Sequence, residues 1–143
     1  MSKLERGILL DTHTWIWLFQ GSQELSKDVI VKINQAGSNG KVFIAAISVW
    51  ELSMLVAKGR VTLSKSIYQM GQKIVLSQPG SKILSLLTPA IAIESSFLPA
   101  QFHGDPADRI IVATARLNNL ILLTRDRKIL QYGSEGYVDC FKV

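Results

Sequence analysis

The sequence predicts an α/β fold, with three layers (α/β/α) around a central, mainly parallel sheet of four to five strands. Short apolar runs alternate with longer amphipathic segments along the chain. The apolar runs contain few polar residues, as expected for parallel strands that helices cover on both faces. No linker rich in Pro, Gly or Ser and no repeat divides the 143 residues, so we expect a single domain over residues 1–143.

Four apolar runs predict buried strands, and a fifth strand is possible at the end of the chain. The runs cover residues 7–11, 41–47, 82–87 and 120–124, with the fifth near 137–141. The first run follows Lys3 and Arg6 and superficially resembles a signal peptide. Asp11 interrupts it almost at once, so we interpret it as a strand.

Helices are predicted between these strands. They cover residues 13–20, 25–36, 48–58 and 65–77, and two more begin at Pro89 and Pro106. Proline is favoured at the first helical position, where its missing N–H has no bond to lose. Ser48 and Glu51 form the capping-box pattern S-x-x-E, so we expect the third helix to begin there.

The composition excludes several classes of protein. A hydrophobic share of 48% excludes a disordered chain, and a single cysteine excludes an intramolecular disulfide framework. No apolar run of about 18 residues occurs, so we expect no membrane span and a reducing, cytoplasmic setting. The net charge of +5 fits a polyanionic partner such as RNA and fits equally well a basic surface that serves only solubility.

Four acidic residues lie where strands end or helices begin. Asp11 ends the first strand, Asp126 follows the fourth, and Glu51 and Asp108 are expected in the first turns of helices. These positions share one edge of a parallel sheet, the edge at which ligands bind. Converging carboxylates raise one another's pKa unless a cation neutralises them, and oxygen ligands suit Mg²⁺ or Mn²⁺.

Each acid also has a simpler interpretation. Glu51 and Asp105 fit helix-capping roles, and Asp126 fits a solvated turn. Asp11 is harder to explain in this way, because a carboxylate beside an apolar run is costly to bury without a partner. The convergence of the acids, and not any one of them, indicates a site.

Several segments of the chain resemble the PIN-domain ribonucleases, and most closely the VapC-like toxins of bacterial toxin–antitoxin pairs. The resemblance is collinear from residue 8 to about residue 130, and its most specific part is the pattern H-x-D-P-x-D-R followed by a helix, a strand and T-x-D. The segments that carry it are Leu10-Asp11-Thr12, Ser48-Val49-Trp50-Glu51-Leu52, His103-Gly104-Asp105-Pro106-Ala107-Asp108-Arg109 and Leu123-Thr124-Arg125-Asp126.

The resemblance implies a PIN-like fold and a Mg²⁺- or Mn²⁺-dependent endoribonuclease that hydrolyses RNA with metal-activated water. It also implies inhibition by a cognate antitoxin, and a homodimer. By this resemblance Asp11 and Asp108 are direct metal ligands, while Glu51 and Asp126 act through metal-bound water or at a second ion. Ala107 replaces the bulky aromatic residue that such toxins often carry, a difference that concerns packing or the choice of RNA.

Other side chains are candidates for supporting roles. Thr124 and Thr12 fit hydrogen bonds to metal waters or to the carboxylates, while for Ser48 we expect ordinary helix capping. His103 fits either a substrate contact or a structural role in its loop. Weaker candidates for contacts with RNA phosphate are Arg109, Arg125, Arg127 and Arg116. Arg109 fits equally well an ion pair with a neighbouring acid.

Two alternatives and one partner surface complete the prediction. A phosphatase of the haloacid-dehalogenase kind needs a second aspartate where His13 stands. A PIN fold that only binds RNA or protein is the other alternative, although all four acidic positions are filled.

Trp15, Trp17 and Phe19 alternate along one helix, so we expect some of them to be exposed to an antitoxin or to a second copy of the chain.

Overall fold

The computed structural model describes residues 6–63, 81–84 and 87–143. The predicted helix over 65–77 and residues 85–86 of the third predicted strand lie outside this part. Five strands of the described residues form one sheet, which confirms the predicted fold class. They are β1 (Ile8–Leu10), β2 (Val42–Ala45), β3 (Ser81–Leu84), β4 (Ile121–Thr124) and β5 (Cys140–Lys142).

All the strand pairs of this sheet are parallel, and the strand order is β3-β2-β1-β4-β5. The central strand β1 is fully buried, which explains its continuous apolar sequence. Leu10 pairs with Leu123 of β4, so the residues that follow β1 and β4 leave the sheet side by side. This register places Asp11 next to Thr124 at the carboxyl edge of the sheet.

Six helices of the described residues cover the two faces of the sheet. They are α1 (Thr12–Gln20), α2 (Lys27–Ser38), α3 (Ala46–Ala57), α4 (Pro89–Ser96), α5 (Pro106–Leu117) and α6 (Arg127–Ser134). One apolar cluster joins Ile8 and Leu10 to α1, α2 and α3, and the other joins Leu9 to α4, α5 and α6. Alternate residues of β1 therefore point to opposite layers, as in any strand.

Polar residues cap three of these helices, including Asp105, for which the sequence predicts that role. Ser26, Thr88 and Asp105 each accept a hydrogen bond from the backbone N–H three residues later. Pro89 and Pro106 occupy the first helical positions after two of these caps. The caps fix where α4 and α5 begin, and thereby where Asp108 lies relative to the sheet.

The predicted capping box at Ser48 is wrong. Helix α3 begins at Ala46, and its N-cap residue, Ala45, makes no side-chain hydrogen bond. Glu51 therefore lies in the second turn of the helix and not in the first. Ser48 is fully buried and its hydroxyl contacts Thr12, so it has no part in capping.

The end of the chain and the aromatic residues of α1 complete the comparison with the sequence. Helix α6 was not predicted, and the expected fifth strand forms at Cys140–Lys142. Trp15 is buried, whereas Trp17 and Phe19 are half-buried.

Among the described residues, none of the helices has the length and apolar character that a membrane crossing requires.

Candidate active site

Asp11 is held by two hydrogen bonds at the end of β1. Only 9% of the residue is exposed. Its Oδ1 accepts from the backbone N–H of Thr12 at 2.8 Å, and its Oδ2 accepts from the Thr124 hydroxyl at 2.6 Å. Each carboxylate oxygen therefore has a donor, and the side chain is fixed in one orientation.

Thr124 connects this carboxylate to a second acid. Its Oγ1 also accepts a hydrogen bond from the backbone N–H of Asp126 at 3.0 Å. Asp126 in turn caps α6, because its Oδ1 accepts from the N–H of Ile129 at 3.0 Å. The prediction of a solvated turn at Asp126 is thus replaced by a helix cap whose carboxylate also lies close to Asp108 and His103.

Glu51 reaches the same edge from α3. The Thr12 hydroxyl donates to Glu51 Oε1 at 2.6 Å, and its oxygen lies 2.8 Å from Ser48 Oγ. Thr12 and Thr124 thus orient one carboxylate each, which is one of the two roles expected of them from the sequence.

Asp108 and His103 lie beside Asp126 and line the same cavity. The Nε2 atom of His103 lies 3.2 Å from Asp108 Oδ2. Its Nδ1 accepts from the backbone N–H of Asp105 at 3.4 Å, which assigns the ring proton to Nε2. His103, Asp108 and Asp126 each offer one ligand atom within 4.8 Å of the others. These side chains line an open cavity of about 540 Å³ together with Arg127 and Lys128.

The charges of these acids interact. Burial and, after it, the charges of Asp105, Asp11, Asp126 and Glu51 together raise the pKa of Asp108 to about 7. Burial is also the largest cause that raises the pKa of Asp11 and that of Glu51. The sheet edge therefore gathers carboxylates that repel one another.

This donor set fits a hard divalent cation. A bound cation would remove the repulsion that raises the pKa of Asp108, and oxygen donors are the ligands that Mg²⁺ and Mn²⁺ prefer. The Nε2 atom of His103 lies beside two of the carboxylates, but it carries the ring proton while Nδ1 accepts from Asp105, so in this arrangement the ring has no lone pair free for a cation. The carboxylates of Asp108 and Asp126 thus fit the cation that the sequence implies, whereas Asp11 and Glu51 are not part of the group whose ligand atoms lie within 4.8 Å of one another.

Arg109 lies beside the acids, but its donors are used within the fold. Its Nε donates to the carbonyl of Ser95 at 2.8 Å, and its Nη1 donates to that of Phe102 at 2.9 Å. A further bond to the carbonyl of His103 measures 3.2 Å. Arg109 therefore ties the end of α4 to the loop that carries His103, in place of the RNA contact or ion pair expected from the sequence.

Two other arginines are also bound within the fold. Arg125 pairs with Glu24 at 2.5 Å, donates to the carbonyl of Val143 and lies over the ring of Trp17. Arg116 pairs with Glu94 at 2.8 Å. It lies eight residues after Asp108 on α5, about 12 Å along the helix axis, so it does not reach the acidic edge. Both were expected to be available for RNA contacts.

Arg127 and Lys128 are the cations that the structure places at the rim of the acidic cavity. Both are exposed, and within the described residues neither forms an ion pair. The sequence predicted Arg127 as an RNA contact, and its position is compatible with that role. The proximity of His103 to Asp126 could not be found from spacing, because the two belong to segments joined only through α5 and β4.

Comparisons with known proteins agree with this geometry. Residues 8–135 match the family model described as PIN domain. This chain belongs to the PIN-domain family. A relative, ribonuclease VapC22 of Mycobacterium tuberculosis (strain ATCC 25618 / H37Rv), is 33% identical over 123 residues, which is 85% of this chain and 88% of the relative.

Solved structures share the PIN fold. The chain is similar to one in VapBC2 from Rickettsia felis bound to a DNA fragment from their promoter, with a TM-score of 0.67, 16% identity and coverage of 94% and 97% of the two chains. At that identity the likeness concerns the fold alone. A toxin–antitoxin complex from Klebsiella pneumoniae gives a TM-score of 0.57 and 27% identity, with coverage of 85% and 88%.

Proposed function

We propose that this chain is a metal-dependent endoribonuclease and the toxin of a toxin–antitoxin pair, acting as one PIN domain over residues 1–143. The observation that carries the proposal is a group of acids at one sheet edge. Thr124 contacts both Asp11 and Asp126, Thr12 holds Glu51, and ligand atoms of Asp108 and Asp126 lie within 4.8 Å of each other. A relative that is a ribonuclease and a similar chain in a toxin–antitoxin complex support the activity and the biological role.

Asp11 and Asp108 would hold Mg²⁺ or Mn²⁺ directly, with Glu51 and Asp126 as further ligands or as acceptors for its waters. A divalent cation bound there lowers the pKa of water and neutralises negative charge on the phosphate. Thr124 and Thr12 keep two of these carboxylates oriented through bonds of 2.6 Å each. The bond from the Thr12 hydroxyl to Oε1 holds Glu51 where its carboxylate would accept a proton from the attacking water.

We further propose that the protein acts in the cytoplasm, is inhibited by a cognate antitoxin and forms a homodimer. Exposed apolar side chains are available for such contacts. They include Trp50 on α3, Leu87 before α4, and Ile93 and Phe97 on and after α4. Light scattering of the purified chain, alone and with the antitoxin encoded beside it, tests both assemblies.

The activity is tested with purified protein and structured RNA in the presence of Mg²⁺ or Mn²⁺. We expect cleavage that EDTA abolishes and that Asp11→Asn or Asp108→Asn lowers by several orders of magnitude, since each substitution removes a carboxylate charge from the metal site. Expression without the antitoxin should arrest growth for the wild-type chain and not for these variants.

Asp28→Asn is the matched control, because Asp28 is an exposed acid in the first turn of α2 and is not one of the four converging acids. This variant should cleave RNA and arrest growth like the wild-type chain. Cleavage that persists in Asp11→Asn and Asp108→Asn, or equal toxicity of all the variants, would show that these acids are not the catalytic centre.

A further inference from the structure

A second groove adjoins the acidic cavity. It has a volume of about 280 Å³, at the small end of the range for ligand sites, and is therefore sized for a single nucleoside. His103, Arg127 and Lys128 line both the groove and the cavity. The groove and the cavity therefore meet at these three side chains.

One wall of the groove is a face of α6. Lys128, Gln131 and Glu135 recur every three or four residues and so lie on the same side of the helix end. Gln131 donates from Nε2 to Glu135 Oε1 at 3.1 Å, and both side chains are exposed. This wall therefore offers amide and carboxylate groups at its surface, together with a lysine ammonium at the end nearest the acids.

The other wall is the loop before α5, and it is partly aromatic. Phe102 is half-buried, and its ring lies 4.4 Å from that of His103 and 4.8 Å from that of Tyr132. Tyr132 is 2% exposed and its hydroxyl donates to the carbonyl of Pro99, so it forms the floor. Arg109 holds this loop through the carbonyls of Phe102 and His103. The aromatic surface is therefore fixed before any ligand arrives.

We propose that this groove binds one unpaired base of the RNA substrate, next to the phosphate that is cleaved. The inference rests on the proposed function and names the part of the substrate that the adjoining site recognises. Arg127 and Lys128 at the junction complement the charge of the RNA backbone, which would otherwise be repelled by the carboxylates. Phe102 offers a stacking surface, and Gln101 and Gln131 offer amide groups to a base edge.

The substrate class that follows is single-stranded RNA, in a loop or a free end. A base can enter a groove of this kind only when it is not paired and stacked in a helix. The amide groups of Gln101 and Gln131 would give the enzyme a preference for particular bases at one position beside the cut.

Binding is measured by fluorescence anisotropy with labelled single-stranded RNA hexamers of mixed sequence, in Mg²⁺ and in an Asp11→Asn background that suppresses cleavage. We expect Gln131→Ala to weaken binding about 2- to 10-fold, the effect of one hydrogen bond. Phe102→Ala should weaken it about 5- to 100-fold through lost stacking. The matched control is Gln35→Ala, an exposed glutamine on α2, which should bind as the background does.

Two further readouts separate this role from a structural one. Lys128→Ala should reduce the slope of log affinity against log salt by about 0.7, the value for one phosphate contact on a single strand. Lys58→Ala, at the end of α3 away from the acids, should not change that slope. In the active enzyme, Gln131→Ala should change the base preference at one position beside the cut, as read by end-mapping.

The outcomes are distinguishable from a failure of the proposed function. If the wild-type chain does not cleave RNA, the proposed function fails. If it cleaves, but Gln131→Ala and Lys128→Ala retain wild-type binding, salt slope and cut-site preference, the groove does not hold the substrate. Unchanged RNA binding together with lost binding of the antitoxin would assign the groove to the protein partner and overturn the inference.

Discussion

Thr124 joins two acids through one hydroxyl group. It donates its proton to Asp11 and accepts the backbone N–H of Asp126, with both distances at 3.0 Å or less. The side chain is fully buried, so water cannot replace either bond. A carboxylate that binds a metal must keep its oxygens directed towards the ion, and hydrogen-bonded neighbours of this kind commonly provide that orientation.

Thr124→Val should therefore lower the rate of RNA cleavage about 10- to 100-fold while leaving the chain folded. Valine preserves the shape of the side chain, but it leaves Asp11 Oδ2 and the Asp126 N–H without their partner. Each unsatisfied group costs about 1–3 kcal/mol. The measurements are the single-turnover cleavage rate and the affinity for Mn²⁺ by calorimetry.

Thr114→Val provides the control for this substitution. Thr114 is also buried, and its hydroxyl donates to the carbonyl of Ile110 within α5. Loss of the Thr114 hydroxyl should change the free energy of unfolding and leave the affinity for Mn²⁺ unchanged. An equal loss of Mn²⁺ affinity in the two variants would mean that Thr124 has no special relation to the acidic site.

The sequence predicts the surroundings of some side chains and not those of others. Asp11 and Asp108 could be placed, because strand ends and helix starts of a parallel sheet meet at one edge. Arg109 and Arg116 could not, since their partners are a set of backbone carbonyls and Glu94, which only the folded chain brings near. A guanidinium offers five donors, and the sequence does not say which acceptors will lie around it.

Gly133 sets how closely α6 approaches β5. A Cβ atom at this position would lie 2.9 Å from the Cys140 sulfur and 3.1 Å from the carbonyl oxygen of Val138. Backbone atoms cannot move aside as a flexible side chain can. The absence of a side chain thus allows the helix that begins at Asp126 to pack against the last strand.

Gly133→Ala should destabilise the protein by about 1–3 kcal/mol, the usual cost of overpacking. The gain from replacing a helical glycine with alanine, about 1 kcal/mol, is too small to offset the clash. Urea unfolding gives the difference. Gly104→Ala is the control, because nothing lies within 4 Å of a Cβ at that position. Equal stability of the two variants would show that α6 and β5 have room to separate.

The elements were predicted where local signals mark them. The pairs Thr88-Pro89 and Asp105-Pro106 are typical of helix starts, and α4 and α5 begin at these prolines. The start of α3 was misplaced because Ala45 and Ala46 give no polar signal, whereas Ser48 resembles a cap. Helix α6 was missed because it is short, contains Gly133 and buries only Ile129 and Tyr132. Such a helix depends on tertiary packing more than on its own pattern.

The whole molecule is basic, yet it gathers several carboxylates at one edge of the sheet. The net charge is +5, while the acids around Asp108 repel one another strongly enough to add to the rise in its pKa. Folding therefore brings together groups that are far apart in the unfolded chain. The free energy of unfolding of the metal-free protein is lowered by this repulsion.

The sign of the resulting pH dependence follows from the direction of the shifts. The pKa of Asp108 rises from an ordinary value of 3.8 to about 7 on folding, and those of Asp11 and Glu51 also rise. At pH values between the unfolded-state pKa and the folded-state pKa of each group, the folded state binds more protons than the unfolded state. The contribution of these groups to stability is therefore present at low pH and is lost as the pH rises towards and through 7.

We expect the melting temperature in EDTA to fall as the pH is raised from 5 to 8. Mg²⁺ or Mn²⁺ should raise the melting temperature far more at pH 8 than at pH 5, because at pH 5 protons compete with the cation for the same oxygens. Asp108→Asn should flatten the pH dependence and remove most of the metal effect, whereas Asp28→Asn should change neither. Differential scanning calorimetry measures both. A melting temperature that rises from pH 5 to pH 8 in EDTA would mean that the carboxylates do not repel one another in the folded chain. A metal effect that is equal at the two pH values would mean that the ion binds elsewhere.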